Sequence, residues 1–334
     1  MLKVAILGAS GFTGFECIRL LQAHSNVAIT HLFSLREQYS DINTYINTDS
    51  IPNNVEMFNP QTAYDIDCLI IALPHTHVFP IMPELIAHSY KIIDLSADFR
   101  LTDGNRYDMH YHNTHTCKDI LDDSVYGLNE FYSKDIKKAT LVANPGCYAI
   151  ATILALKPLT DKSLVNHVAI DAKSGVSGAG KAMQDRFLYA NANEHLSAYQ
   201  VNSHRHMAEF EENCPCSLTF TPHLVPMTRG ILVSAYIELT QTQTMDSVFK
   251  LYQSHYESAP FVTIEANTSY PSTQAVVGSN MAKISICQVN ETRAIVMSTI
   301  DNLIKGAAGN AIQSMNLMFG FSETLGLPLV AQRV

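Results

Sequence analysis

A single cysteine lies near the middle of the chain, between a proline–glycine pair and an apolar run. In LVANPGCYAIATILALKPL, Cys147 follows Pro145-Gly146 and precedes apolar residues at helical spacing. The pair sets a turn into the helix, so the sulfur is expected near the positive end of the helix dipole. That position lowers the pKa of a thiol and makes a nucleophilic thiolate available. A cysteine that only packs in the core would fit the same local pattern. The other motifs must therefore distinguish a packing role from a nucleophilic role for Cys147.

A glycine loop near the start of the chain is the second chemical signal. In KVAILGASGFTG, three glycines with the spacing G-x-x-G-x-x-G follow a strand-like run and lead into a helical pattern. They allow a tight turn, the close approach of a pyrophosphate, and close packing of the helix on the sheet. After a strand and within a β-α-β pattern, such a loop predicts a dinucleotide site. The expected contacts are Gly8, Ser10, Gly11, Phe12, Thr13 and Gly14.

The end of the second strand-like run indicates which dinucleotide binds. NAD sites usually carry an acidic residue there for the ribose hydroxyl, whereas THLFSLREQ offers Ser34 and Arg36. A hydroxyl and a guanidinium suit a 2′-phosphate, which favours NADP over NAD. Arg36 could also be a solvated loop residue. Together with a cysteine nucleophile, NADP predicts thiolate attack on an acyl carbon and hydride exchange with the resulting thioester or thiohemiacetal.

The elements that must position these residues fall into two groups. In the first third, KVAIL, VAITHLF, CLIIAL, KIIDLS and ATLVAN alternate with helical patterns such as VFPIMPELIAHS. This alternation predicts an α/β, Rossmann-type, doubly wound parallel sheet. Later runs, from VNHVAIDA to RAIVMSTI, are longer and predict an α+β domain with a mixed or antiparallel sheet. Within them, a hairpin is expected to turn at Asn290-Glu291, and DNLIKGAAGNAIQSMNLMFGF is expected to form one long amphipathic helix.

Composition excludes several classes of partner. The chain has 334 residues, enough for about two domains, and 47% of them are hydrophobic. A net charge of −9 argues against nucleic-acid or membrane-surface binding, because both need a basic patch. No spanning helix or secretion signal is found, which predicts a cytoplasmic protein. The seven scattered cysteines do not indicate disulfides, and His75 and His77 lack a third ligand, so no metal is expected.

Eight sequence motifs follow one another along nearly the whole chain. They are GASGFTG, DLSADFRL, YGLNE, NPGCYAIATILALKPL, SGVSGAGK, HRHMAE, FTPHLVPMTRGI and DNLIKGAAGNAIQ. Together they resemble the N-acetyl-gamma-glutamyl-phosphate reductases of arginine biosynthesis. The cysteine segment, SGVSGAG and HRHMAE form a highly specific set. Aspartate-semialdehyde dehydrogenase belongs to the same superfamily and shares the type of fold, but it does not share this set of motifs.

This resemblance implies reduction of an N-acetylglutamyl acyl phosphate to the semialdehyde, with NADPH as hydride donor and phosphate released. It implies that Cys147 is the nucleophile. The acid/base histidine falls in HRH, with His204 expected first and His206 as the alternative. Glu209 is expected to orient one histidine or to bind substrate through its carboxylate. A homo-oligomer is also implied.

The implied substrate is a polyanion, although the chain has only 22 lysines and arginines. Basic residues inside the motifs are therefore candidates to bind carboxylate or phosphate: Arg100 in SADFRL, Lys181 in SGAGK and Arg229 in PMTRG. Lys181 could equally be a surface charge. Arg100 and Arg229 have largely uncharged neighbours in the sequence, which favours a buried or ligand-binding role.

The same resemblance and the element pattern predict how the chain divides. The expected parts are an NADP-binding domain, residues 1–146, completed by a C-terminal helix, 303–334, and a catalytic, substrate and oligomerisation domain, 147–302. Ser177 and Gly178, in a loop of small residues, are expected to approach the cofactor or to cradle an anion. Asn302 is expected at the cofactor on the resemblance alone.

Two alternative functions stay open at this point. A related semialdehyde dehydrogenase acting on another acyl phosphate would keep Cys147 and differ in its substrate-binding basic residues. A redox sensor that binds NADP without turnover would need neither the paired histidines nor an anion-binding set.

Overall fold

The computed structural model describes residues 1–35, 46, 50–52, 54–181, 185–265 and 269–332. This part of the chain forms two compact units, one of Met1–Pro145 with Ala307–Leu327 and one of Gly146–Gly306 with the segment from Pro328 onward. The expected division assigned residues 303–334 to the first domain, whereas Leu303–Gly306 lie in the second unit, as does the segment from Pro328 onward. That last segment belongs to the second unit because the amide of Asn280 donates to the carbonyl of Pro328.

The first unit is built on a seven-stranded parallel sheet in the order β3-β2-β1-β4-β5-β7-β6. Its central strands are apolar on both sides, which suits a sheet covered by helices on both faces. The predicted doubly wound parallel sheet is therefore confirmed. The strands are β1 Leu2–Leu7, β2 Val27–Ser34, β3 Glu56–Met57, β4 Cys68–Ile71, β5 Lys91–Asp94, β6 Ser124–Tyr126 and β7 Leu141–Ala143.

The helices of the first unit depart from expectation at two places. They are α1 Phe12–Leu21, α2 Met82–Leu85, α3 Gly104–Tyr111, α4 Asn129–Ile136 and α9 Gly309–Met318. VFPIMPELIAHS forms only the short α2, with Pro83 in its first turn, where a helix tolerates proline. The long terminal helix is split into a π-helical segment, Ile304–Ala308, and α9. All ten residues of α9 are buried, so α9 is not amphipathic.

The second unit contains a mixed seven-stranded sheet in the order β12-β13-β14-β11-β8-β10-β9, as the β-rich runs predicted. The pairs β8–β10 and β12–β13 are parallel and the others are antiparallel. The hairpin β13–β14 is confirmed, and it pairs Asn290 with Arg293, so it turns one residue later than expected. The strands are β8 Val165–Gly175, β9 Ser197–Ala198, β10 Ser217–Val225, β11 Ile231–Leu239, β12 Val262–Ile264, β13 Ala282–Asn290 and β14 Arg293–Ile300.

The helices of the second unit are α5 Cys147–Thr160, α6 Tyr189–Ala192, α7 Met207–Asn213 and α8 Met245–Tyr256. Helix α5 is apolar on nearly all sides and contacts β8, β11, β14, α7 and α8, so it forms the centre of this unit. No helix among the described residues of the chain has both the length and the apolar character needed to cross a lipid bilayer.

One face of the sheet in the second unit is partly open. Along β11, alternate residues are buried, whereas Leu232 and Ser234 are half-buried and Tyr236 is 47% exposed. Tyr236 pairs with Ile295 of β14 and Ser234 pairs with Met297. These five residues are called the outer face below. An apolar surface in the middle of a sheet is a feature of binding or assembly surfaces.

Candidate active site

Cys147 is the first residue of α5, and Gly146 is its N-cap, with φ −68° and ψ 150°. Twelve of the fourteen helix residues are buried, but Cys147 is only half-buried. Cys147 therefore lies at the open, amino-terminal end of a buried helix, as the Pro-Gly turn predicted. The helix dipole and the amides of the first turn stabilise a thiolate there.

A histidine and a carboxylate pack directly on the residue before the cysteine. The amide of Gly146 donates to Glu209 Oε2 over 3.0 Å, and Glu209 is completely buried. A methyl group on Gly146 would lie only 2.5 Å from Cε1 of His206 and closer still to its Nε2. The second carboxylate oxygen, Oε1, is 3.9 Å from His206 Nε2. The turn that carries Cys147 therefore packs against His206 and is hydrogen-bonded to Glu209.

The sequence places this histidine and carboxylate on one side of α7. His206 is the N-cap of α7 and Glu209 lies in its first turn, three residues later. Residues three apart on a helix share a face, so both reach Gly146 together. Glu209 contacts the backbone of Gly146 and does not line the cavity described below.

His204 has different surroundings. Its Nδ1 accepts the amide hydrogen of His206 over 3.1 Å, and its ring packs edge-on against Tyr148, Tyr199 and Phe220. Burial, followed by the nearby charge of Arg205, lowers the pKa of His204 to about 3. The ring is therefore neutral near pH 7 and fixes the start of α7.

A cavity of about 220 Å³ opens beside Cys147. Sequence reasoning identified the cysteine, the two histidines and Gly178 in its wall but missed the aromatic and polar residues around them. The only available signal for Arg205 was its place inside HRH. The cavity is lined by Cys147, Tyr148, Ser174, Gly175, Gly178, Ala179, Phe187, Tyr199, Gln200, His204, Arg205, His206 and Leu224.

Arg100 and Lys181, two candidate substrate ligands, do not line this cavity. Arg100 is buried in the first unit, where its Nε donates to the carbonyl of Asn144 over 2.8 Å and its Nη2 donates to Leu95. The side-chain oxygen of Asn144 accepts from Asn310 of α9 over 2.8 Å. Lys181 is exposed. Arg100 therefore fixes the carboxyl ends of β5 and β7, next to the turn that leads to Cys147.

Arg229, the third candidate, pairs with a buried carboxylate. Its Nη1 lies 3.3 Å from Asp301 Oδ2, which also accepts the amide hydrogen of Gly278. Asp301 Oδ1 accepts from the amides of Leu303 and Ile304. One carboxylate thus joins three separate segments of the second unit.

The π-helical segment explains why residue 306 is a glycine. The amide of Gly306 donates to the carbonyl of Asp301 over 2.8 Å, a five-residue step of the π type. A Cβ on Gly306 would lie 2.8 Å from Cβ of Cys147. The backbone at Gly306 therefore packs closely against Cys147.

Ser177, Gly178 and Asn302, three of the cofactor candidates, lie together in the second unit. Asn302 is buried, its Nδ2 donates to Ser177 Oγ over 2.9 Å, and its Oδ1 accepts the amide hydrogen of Gly230. A Cβ on Gly178 would lie 3.2 Å from Ser174 Oγ and 3.7 Å from Asn302 Nδ2. Asn302 thus ties together the two loops that follow β8 and β10.

The glycine loop of the first unit has the geometry of a pyrophosphate cradle. Gly8 has φ +90°, and a Cβ there would lie 2.5 Å from the carbonyl oxygen of Ala72. A Cβ on Gly14 would overlap the Gly8 carbonyl, so α1 packs directly on the turn. At Gly11 a Cβ would meet only the Gly8 carbonyl, at 3.5 Å. Because α1 begins at Phe12, its first amides are available to an anion, and the residues fit a bound dinucleotide.

The remaining cofactor candidates flank this loop or follow β2. Ser10 and Thr13 are half-buried, and Phe12 is exposed at the start of α1. Ser34 is the last residue of β2, at the carboxyl edge of the parallel sheet where nucleotides bind. Arg36 lies outside the described residues.

Two buried carboxylates lie near the same edge. Asp98 accepts from the amide of Thr76 and from the hydroxyl of Tyr107, both over 2.9 Å, and Asp94 accepts from the amide and hydroxyl of Ser96. Burial and then the charge of Asp98 raise the pKa of Asp94 to about 7. In the described part of the chain, no three His, Cys, Asp or Glu side chains cluster in a way that could hold a metal ion.

Comparison with known proteins identifies the family. The model described as "Semialdehyde dehydrogenase, NAD binding domain" matches residues 3–139, and "Semialdehyde dehydrogenase, dimerisation domain" matches residues 147–302. The chain is 43% identical to a protein of Campylobacter jejuni, covering 99% of both chains. It is 42% identical to a protein of Vesicomyosocius okutanii and 41% identical to one of Staphylococcus saprophyticus, covering 98% of both chains in each case. All three relatives are named N-acetyl-gamma-glutamyl-phosphate reductase.

Solved structures agree on the fold. Aspartate semialdehyde dehydrogenase II of Vibrio cholerae, complexed with ASA, superimposes with a TM-score of 0.69 at 17% identity, over 96% of this chain and 98% of the other. A probable aspartate-semialdehyde dehydrogenase of Pseudomonas aeruginosa gives 0.68 at 16% identity, over 95% and 98%. These likenesses show the shared fold. The full-length relatives and the two domain models show that the chain belongs to the N-acetyl-gamma-glutamyl-phosphate reductases of the semialdehyde dehydrogenase family.

Proposed function

We propose that the protein reduces N-acetyl-gamma-glutamyl phosphate to N-acetylglutamate semialdehyde with NADPH, through a thioester on Cys147. The observation that carries this proposal is the packing of His206 and Glu209 on Gly146, directly beside a half-buried cysteine at a helix N-terminus. Nucleophile, proton-exchanging group and orienting carboxylate are then within one small part of the second unit. That is the arrangement that thiolate-dependent acyl transfer needs.

In the first step, His206 takes the thiol proton and the Cys147 sulfur attacks the acyl carbon. A carbon–sulfur bond forms, and the carbon–oxygen bond to phosphate breaks, so phosphate leaves with the electron pair. When bound, NADPH supplies the hydride that reduces the thioester carbon. His206 then gives a proton to the oxygen of that carbon. In the last step His206 takes back the hydroxyl proton of the thiohemiacetal on Cys147. The carbon–oxygen double bond forms, the carbon–sulfur bond breaks, the sulfur leaves with the electron pair and the aldehyde is released.

We assign the acid/base role to His206, although the sequence favoured His204. His206 packs on the residue before the nucleophile and has a carboxylate at 3.9 Å to orient it. The pKa of His204, about 3, is too low for efficient proton exchange near pH 7. Glu209 is given the orienting role, since it is buried and bonded to the backbone.

The test is the reverse reaction, with N-acetylglutamate semialdehyde, NADP and phosphate, followed by NADPH absorbance. Phosphate-dependent NADPH formation is expected for the wild type and for Cys216→Ser, a half-buried cysteine of the same unit. It is expected to vanish in Cys147→Ser, with NADPH binding retained. NADPH formation only with aspartate semialdehyde would show that the protein acts on the substrate of the related semialdehyde dehydrogenases instead. Tight NADPH binding without NADPH formation from either aldehyde would favour the alternative of a redox sensor that binds NADP without turnover.

We propose NADP(H) as the cofactor, held by the amides at the start of α1 and by the loop residues Gly8 to Gly14. Support comes from the cradle geometry and from the family model for the first unit. Selection of NADP over NAD rests on the sequence around Ser34 and Arg36. Arg36→Ala is expected to weaken NADPH binding much more than NADH binding, measured by fluorescence titration. Equal effects on both cofactors would refute the 2′-phosphate role.

We propose a homo-oligomer assembled through the outer face. The family model matched by residues 147–302 is described as a dimerisation domain, and these residues contain that face. Its half-buried apolar side chains and the exposed Tyr236 suit burial against a second copy. The cytoplasmic location expected from the sequence stays a prediction.

A further inference from the structure

We propose that Arg205 binds the α-carboxylate of the substrate and thereby determines which aldehydes the cavity beside Cys147 accepts. This inference rests on the function proposed above, because it names the group that recognises one part of that substrate. N-acetylglutamate semialdehyde carries the reacting aldehyde at one end and an acetamide and a carboxylate on its α-carbon. The enzyme must therefore place a carboxylate in the same cavity as the nucleophile.

The charges of the cavity wall point to one residue. Among the described residues that line it, Arg205 is the only lysine or arginine, and none is an aspartate or glutamate. The other polar side chains of the wall are hydroxyls, a carboxamide, a thiol and two imidazoles. A carboxylate entering this cavity meets one permanent positive charge and no permanent negative one.

The basic residues that the sequence favoured are engaged elsewhere. Arg229 is paired with the buried carboxylate of Asp301, and Arg100 donates to two backbone carbonyls in the first unit. Neither residue lines the cavity. Moving Arg229 to a ligand would leave Asp301 as a buried charge without that partner, which is unfavourable.

The backbone around Arg205 is held in place on both sides. Its neighbours His204 and His206 are buried, and the amide of His206 donates to His204 Nδ1 over 3.1 Å. The charge of Arg205 acts within the cavity, since it helps to lower the pKa of His204. Because the backbone of Arg205 is held in place, its guanidinium can donate two parallel hydrogen bonds to a carboxylate. Such bidentate pairs are strong and select for the planar geometry of a carboxylate.

The experiment compares two aldehydes on three proteins in the reverse reaction. N-acetylglutamate semialdehyde carries the carboxylate, and 4-acetamidobutanal is the same molecule without it. The proteins are the wild type, Arg205→Gln and, as a control, Arg293→Gln, an exposed arginine of the same unit that lies at the β13–β14 turn. kcat/KM is measured for each pair.

For Arg205→Gln, we expect kcat/KM with N-acetylglutamate semialdehyde to fall about 10- to 100-fold, the usual effect of losing a charge-assisted pair. With 4-acetamidobutanal, kcat/KM is expected to stay within about twofold, because no carboxylate is present to lose its partner. For Arg205→Lys, kcat/KM with N-acetylglutamate semialdehyde is expected to lie between the values of the wild type and of Arg205→Gln. Lysine keeps the positive charge but cannot make the bidentate hydrogen bonds of a guanidinium. Arg293→Gln is expected to match the wild type with both aldehydes.

An equal loss with both aldehydes would overturn the inference, because it would show that Arg205 acts on the histidines or on the fold. Unchanged kinetics with both would overturn it as well. If the wild type forms no NADPH with either aldehyde, the proposed function itself fails, which is a separate result from either of these.

Discussion

The contact between Gly146 and His206 makes Gly146→Ala the sharpest test of the site. The added methyl would lie 2.5 Å from Cε1 of His206, whereas ordinary contact begins near 3.4 Å, so the ring must move by about 1 Å. Gly146 has φ −68° and ψ 150°, which alanine adopts without strain. The substitution thus moves the proposed acid/base group and leaves the backbone unstrained. A misplacement of this size at a reacting group costs about 100-fold in kcat.

The assay is the phosphate-dependent formation of NADPH, combined with NADPH binding by fluorescence and with thermal unfolding. We expect kcat to fall about 100-fold in Gly146→Ala, with the Kd of NADPH unchanged. The matched control is Gly104→Ala in α3, where a Cβ would also meet atoms at 2.7 Å. Those atoms belong to the flexible side chain of Lys118, which can move away, so wild-type kcat is expected.

A double-mutant cycle separates the ring from the cysteine. If the methyl acts through His206, adding Gly146→Ala to His206→Ala should cost little more than His206→Ala alone. A folded Gly146→Ala protein with kcat within about threefold of wild type would refute the role assigned to His206. A full, additive loss in the double mutant would show that the methyl acts on Cys147 instead.

Three further results are expected. His206→Ala should lower kcat about 100-fold or more and His204→Ala should lower it less, so a larger loss at His204 would reverse the assignment. The pKa of Asp94 in the folded protein is near 7, above its usual 3.8. The contribution of protonated Asp94 to the free energy of unfolding is therefore complete below pH 3.8 and is lost as the pH rises through about 7. Urea unfolding should therefore show wild type losing at most about 4 kcal/mol more than Asp94→Asn between pH 4 and pH 8; parallel pH dependences would contradict this. Tyr236→Lys should shift the molar mass in light scattering to that of a monomer, whereas Tyr270→Lys, exposed outside the outer face, should not. A dimer that survives Tyr236→Lys would place the interface elsewhere.

The strands and the two loops that begin helices α1 and α5 could be predicted because their signals are local. A continuous apolar run defines a buried parallel strand, and a glycine or Pro-Gly turn defines how the next helix starts. The position of Cys147 at a helix N-terminus follows from a few adjacent residues. The family could likewise be identified from motifs that are each continuous in sequence.

Long-range partners could not be predicted. Arg229 stands among uncharged residues in the sequence, a pattern that fits a ligand-binding arginine and equally one that neutralises Asp301, 72 residues away. The choice between His204 and His206 depends on which ring meets Gly146, and no spacing within HRH encodes that. The terminal segment is expected to be amphipathic because Ala308, Ile312, Met315 and Phe319 form one apolar stripe, which leaves polar residues such as Asn310 on the other side. These polar residues are buried, and Asn310 is satisfied by partners such as Asn144 that only the fold brings near.

The contacts of Asp301 and Asn310, which lie late in the chain, have a consequence for folding during translation. Domains usually fold in order as they leave the ribosome, the amino-terminal one first. Here the first unit lacks the Asn310 contact to Asn144 until residue 310 has emerged, and it lacks the complete helix α9 until Met318 has emerged. The second unit lacks Asp301, which holds Arg229 and Gly278, until almost the same moment. Neither unit can therefore complete its folding before residues 301 to 310 have emerged, and nascent chains that stop short of residue 300 carry two incomplete units.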